Sequence, residues 1–172
     1  MTDFIEKNQK NQYSVTAKVF HWGFVLLFLY GILKQVDDIN QLEDISLLKF
    51  EIFFALIFIF LLLIRFYYMR NTQTSSLPTN TPKIQKIVAK TVHYGMYFFL
   101  SLIAISGLLI GFLFWSDFEN NFLIEGIIII HESSVTMIYW LIAAHIVGAL
   151  YHRVLRDGVW SSMVPFSREA NK

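Results

Sequence analysis

Five histidines and no cysteine set the chemistry open to this chain. Without thiolates there are no disulfides, thiolate zinc sites, iron–sulfur clusters or covalently attached c-type haem, and imidazole is the strong ligand that remains. Three of the five, His131, His145 and His152, lie on one apolar stretch, FLIEGIIIIHESSVTMIYWLIAAHIVGALYHRVLR. At about 100° per residue, the fourteen- and seven-residue spacings overshoot whole turns by roughly 40° and 20°. On a helix, all three imidazoles leave from one face. His131 and His145 then stand about 21 Å apart along the axis, most of the roughly 30 Å thickness of a bilayer core. The other two histidines, His21 and His93, each lie near the start of another apolar stretch.

The elements that must carry these residues follow from composition. Of 172 residues, 55% are hydrophobic and 17 are Phe, and mean hydropathy is positive. Several windows approach twenty apolar residues, which predicts an all-α, polytopic membrane protein rather than a soluble core. A net charge of +1 gives no reason to expect nucleic acid. The N-terminus lacks a signal-peptide core with a cleavage site, so the first apolar span is expected to remain as a membrane helix. A polar tail is expected over 1–15, then a single four-helix domain over 16–156, with spans at about 16–36, 47–69, 87–114 and 122–156, and a C-terminal tail over 157–172. Ser14 or Thr16 is a candidate cap for the first helix. Acidic loops (QVDDINQLEDIS and WSDFENN) alternate with segments carrying Lys7, Lys10 and Lys18; Arg70, Lys83, Lys86 and Lys90; and Arg153, Arg156, Arg168 and Lys172. The bias predicts both termini in the cytoplasm. Gly107 and Gly111 form a GxxxG pair, read as helix packing within the monomer rather than as a dimer signal.

With that topology His21, His93, His145 and His152 belong to the cytoplasmic half. His131 and Glu51 belong to the outer half. Histidine in a span is costly unless it faces the bundle interior with a partner. Four in one leaflet without an acidic relay fit ligation better than proton transport. Haem b suits such a site, because its iron takes imidazoles from facing helices and its ring needs an apolar slot. Ala143, Ala144, Gly148 and Ala149 around His145 leave room for a flat ring. Arg153 and Arg156 are candidate propionate contacts, and they also serve as topology determinants. The plainer reading, a hydrogen-bond partner between helices, competes at each histidine and most strongly at His93 taken alone.

The stretches KVFHW, opening the first span, and HES…AAHIVGALYHRVLRDGVWSSMVP, closing the chain, resemble the bacterial cytochrome b561 family over roughly 14–166. That resemblance implies a four-helix inner-membrane bundle holding haem b by histidine pairs and exchanging electrons with ubiquinone. A characterised member oxidises superoxide. Carried over by position, His21 and His145 become the axial pair of the cytoplasmic-side haem, and His131 the span-four ligand of an outer haem. The family's partner for His131 is a histidine near the start of span two. The matching position here is Glu51, fourteen residues before Arg65, which matches a family arginine. Three readings follow: one haem only, an outer haem on His131 with Glu51, water or nothing opposite, or recruitment of His93. With one haem, superoxide oxidation from outside loses its carrier. His152 is then a candidate quinone or propionate contact. The alternatives to a quinone-linked electron carrier are a haem-bearing anchor subunit of a separate redox enzyme, or a haem-free membrane protein of the same fold. The expected partners are the lipid bilayer, membrane quinone, and a redox protein or second copy of the chain.

Overall fold

The computed structural model describes residues 13–34, 36, 39–116 and 121–164. The expected tail over 1–12, the end of the C-terminal tail from 165, and the charges at Lys7, Lys10, Arg168 and Lys172 lie outside the described residues. Four long helices follow in order: α1 Val15–Leu33, α2 Ile45–Thr72, α3 Lys83–Trp115 and α4 Asn121–Leu155. A 3₁₀ turn, Ile39–Glu43, leads into α2, and a short helix α5, Val159–Met163, follows α4. No strand occurs among the described residues. All four long helices are long and apolar enough to cross a membrane.

The helix ends have local causes. Ser14 caps α1, its hydroxyl accepting from the Ala17 amide at 3.1 Å, which satisfies one of the free N–H groups of the first turn. Asp44 does the same for α2, accepting from the Ser46 amide at 2.8 Å and the Ser46 hydroxyl at 2.7 Å. Pro82 sits at the N-cap of α3, so the basic stretch from Lys83 to Lys90 forms the first turns of that helix and precedes the apolar span. α4 ends at Leu155 where Arg156 enters the left-handed region (φ 54°), and Gly158 (φ 87°) then opens α5.

Lipid outside changes what packing must do. Leu26, Phe60, Trp140 and Val147 all face outward, as apolar residues can where no water waits. The interior is therefore narrow. Phe24, Phe58, Leu62 and Ala104 knit α1, α2 and α3. Leu42, Leu48 and Ile110 close the opposite end. Small residues bring backbones together: a Cβ on Gly111 would stand 2.7 Å from Ile52 Cγ1 of α2, and one on Gly107 would stand 3.5 Å from His131 Cε1 of α4. The GxxxG pair thus works inside the monomer, each glycine against a different helix.

Close backbone packing is tightest between α3 and α4, weaker between α2 and α3, and slight between α1 and α2. α1 and α4 meet through side chains instead. Phe28 and Tyr139 lie with ring centres 6.5 Å apart, and the Trp22 indole N–H donates to the Met163 carbonyl beyond α4 at 3.2 Å. The start of α1 is tied to the end of α2 by Ser14 against Tyr68 (2.9 Å) and Gln73 (3.1 Å). At the other end Lys49 of α2 stands over the Trp115 ring of α3 at 5.7 Å. The helices are therefore antiparallel neighbours, and α1 begins at the end where α4 finishes. This end is called the near end below.

Two outcomes follow. Gly111→Ala overpacks the α2–α3 contact and lowers stability by about 1–3 kcal/mol, read as a lower unfolding temperature in detergent. The bonds from Ser46 hold the Asp44 carboxyl below the usual carboxylate range. A depressed folded value means that its contribution is present above the unfolded pKa of about 3.9 and fades as pH falls further. Asp44→Ala should therefore speed amide exchange at the start of α2 at neutral pH, and the difference from the parent chain should shrink on acidification.

Candidate functional site

Depth brings four polar side chains to one level. His21 lies six residues into α1 and Arg65 seven from the end of α2, about 9 and 10 Å from the near-end helix termini. His93 lies ten residues into α3 and His145 ten from the end of α4, each about 15 Å deep. Antiparallel packing then gathers them. The rings of His21 and His145 have centres 6.0 Å apart at an interplanar angle of 55°. His93 and His145 are 5.0 Å apart, edge to face. Arg65 Nη2 donates to His21 Nδ1 at 3.1 Å.

The hydrogen bonds assign the proton of each ring. His93 Nδ1 lies 2.6 Å from the Ala89 carbonyl. A carbonyl only accepts, so Nδ1 carries the hydrogen and Nε2 the lone pair in the neutral ring. His21 is the reverse: a guanidinium only donates, so Nδ1 accepts and Nε2 carries the hydrogen. Arg65 also lies against two aromatic rings. Its guanidinium carbon lies 5.2 Å from the Phe24 ring centre and 5.7 Å from that of Tyr97. Its Nε is buried with no partner.

Toward the far end, His131 belongs to a separate network. Ser106 is 3% exposed and its hydroxyl lies 2.6 Å from the Leu102 carbonyl and 2.9 Å from His131 Nδ1. The hydroxyl donates back to its own helix and accepts from the imidazole. The His131 ring lies over Gly107, so it faces α3. Its hydrogen-bond partner is Ser106 and not Glu51, which is half-buried on α2. His152, on the same face of α4 as His145, turns instead to Asp157, with Nδ1 2.6 Å from the carboxylate. Arg153 lies over the Trp160 ring at 4.7 Å, and Arg156 is exposed in the turn after α4.

The structure brings the His21 and His145 rings together and adds two residues outside that pair. His93 is a member of the cluster, and Arg65 is the cation beside it. Arg153 and Arg156, the candidate propionate contacts, lie further out. Both additions had a signal in the sequence. Arg65 is a charge inside an apolar span, and its depth matches that of His21 once the helices are antiparallel. His93 and His145 are each ten residues from the near end.

The arrangement can be tested against haem b. His21 and His145 would supply one imidazole from each of two helices, and their ring centres stand 6.0 Å apart. They stand on α1 and α4, which among the described residues meet through side chains rather than by close backbone packing. Gly148, one turn beyond His145, has no heavy atom within 4 Å of where a Cβ would stand. Among the described residues no three His, Cys, Asp or Glu side chains form a group that could hold a bare metal ion. The donor set fits a flat group taking one ligand from each side, and haem b is such a group.

No curated protein and no solved structure matches the chain. The family model for prokaryotic cytochrome b561 matches residues 12–166, a range that contains all four helices and every histidine. The chain belongs to the prokaryotic cytochrome b561 family of membrane haem b electron-transfer proteins.

Proposed function

We propose that the chain is a single-haem electron carrier of the bacterial inner membrane, that both termini face the cytoplasm, and that it exchanges electrons with membrane quinone. The observation that supports this most directly is the pairing of the His21 ring of α1 with the His145 ring of α4, centres 6.0 Å apart. When bound, the haem would supply a one-electron iron couple. The chain's own residues do the rest. His21 and His145 provide two neutral imidazoles from facing helices. The Ala143–Ala144 and Gly148–Ala149 steps of α4 keep bulk away from the slot. The lipid-facing shell of Leu, Ile and Phe keeps water out.

The far end supports the count of one. His131 is held by Ser106, and the position that the resemblance pairs with it is Glu51, whose carboxylate is a poor low-spin iron ligand. Without a second group there, no relay runs from the far end to the near end, and superoxide oxidation at the outer face is not part of the proposal. Quinone exchange belongs at the near end. There the His152 Nδ1–H is held by the Asp157 carboxylate, which leaves Nε2 of the neutral ring as an oriented lone pair, suited to accepting a hydrogen bond or a proton from a quinol hydroxyl.

Haem content decides the reading. Purified protein should carry about one haem b per chain by pyridine haemochrome, with a reduced-minus-oxidised spectrum of a low-spin b-type centre. His145→Ala should lose the haem, whereas Glu51→Ala and His131→Ala should leave the spectrum unchanged. A colourless preparation from haem-replete cells would overturn the function, and a content near two would overturn the single site. His152→Ala should keep the spectrum and slow reduction of the haem by a ubiquinol analogue.

A further inference from the structure

The near-end cluster contains a part-buried cation within a membrane span that, among the described residues, has no anion. Arg65 has five N–H donors and no acceptor. It spends one on His21 Nδ1, lies near two aromatic rings, and leaves Nε unpartnered. Among the described residues, the ion pair formed is His152–Asp157, and Arg65 takes no part in it. A cation removed from water in this way is costly unless it finds a negative partner.

The bond it does make creates a conflict. With Arg65 donating to Nδ1, a neutral His21 keeps its hydrogen on Nε2. An imidazole that ligates through Nε2 must instead carry its hydrogen on Nδ1. That hydrogen would then point at an Arg65 N–H, donor against donor. Ligation through Nδ1 is blocked by the guanidinium itself. In either case His21 becomes a ligand only if Arg65 lets go.

We infer that Arg65 is a two-position anion clasp. It holds the His21 ring in place while the site is empty, and it moves to a carboxylate of the incoming group when His21 takes the iron. Haem b brings two carboxylates, and planar guanidinium–carboxylate pairing is the strongest match that Arg makes. Arg65 is thus a positioning residue. This inference rests on the haem reading above, and it differs from the expectation that Arg153 and Arg156 meet the propionates.

The test separates the ring from its carboxylates. The full-length chain, produced without haem and held in detergent, is titrated with haem and with haem dimethyl ester, which keeps the iron and ring but caps both carboxylates. Soret absorbance reports binding. The parent chain should prefer haem on the order of tenfold or more, as loss of a charge-assisted hydrogen bond implies. In Arg65→Met that preference should collapse, with the ester bound about as well as haem. Arg65→Lys should give an intermediate preference. Equal binding of haem and ester by the parent chain would overturn the clasp, and so would a full preference kept by Arg65→Met or, should that variant not fold, an unaltered one in Arg65→Lys. Failure of the parent chain to bind either compound would instead overturn the haem reading, and the clasp with it.

Discussion

Apolar solvent on every side forces each polar side chain of a span to find its partner inside the protein. That constraint organises this molecule. In water a helix declares its buried face by hydrophobic contrast. Here the outer surface is as apolar as the interior, and orientation is set by the few groups that lipid will not accept. His21, Arg65, His93 and His145 turn inward because only one another, and backbone carbonyls, can satisfy them. Ser106 and His131 do the same further along. The rest of the packing accommodates these two polar levels.

The levels differ in how complete they are. At the far level His131 and Ser106 satisfy one another: the imidazole donates to the hydroxyl, and the hydroxyl donates to a carbonyl of its own helix. At the near level the ledger is open, with an unpartnered guanidinium nitrogen and more imidazoles than hydrogen bonds require. A satisfied network rigidifies a bundle, while an unsatisfied one marks a place built for something else. This contrast argues for function at one end and for structure at the other.

Much of this was legible in the sequence. Long apolar runs separated by polar loops gave four helices, because lipid-spanning length is a strong signal. The His21/His145 pairing followed from the family resemblance, and the facing of His131 and His145 from helical spacing. The missing parts were of two kinds. Pro82 starts α3 within the basic stretch, which an apolar-run criterion passes over. The roles of Arg65 and His93 depend on which helices are neighbours, and helix periodicity carries no information about neighbours. Depth counted from the loops already put His93 in the same half as His21 and His145, but it does not say which of the side chains at that depth touch. The Ser106–His131 bond was hidden because serine in a span most often bonds its own helix, as Ser106 also does.

The uneven backbone packing has a consequence for assembly. α2, α3 and α4 form a closely packed trio, while α1 leans on them through rings, the Ser14 ties to α2 and the Trp22 bond beyond α4. Such a helix is the least costly one to tilt away. Its departure would uncover the slot from the side of the bilayer, without dismantling the trio. A planar group could then enter edgewise from among the lipid chains, and the returning helix would bring the second imidazole with it.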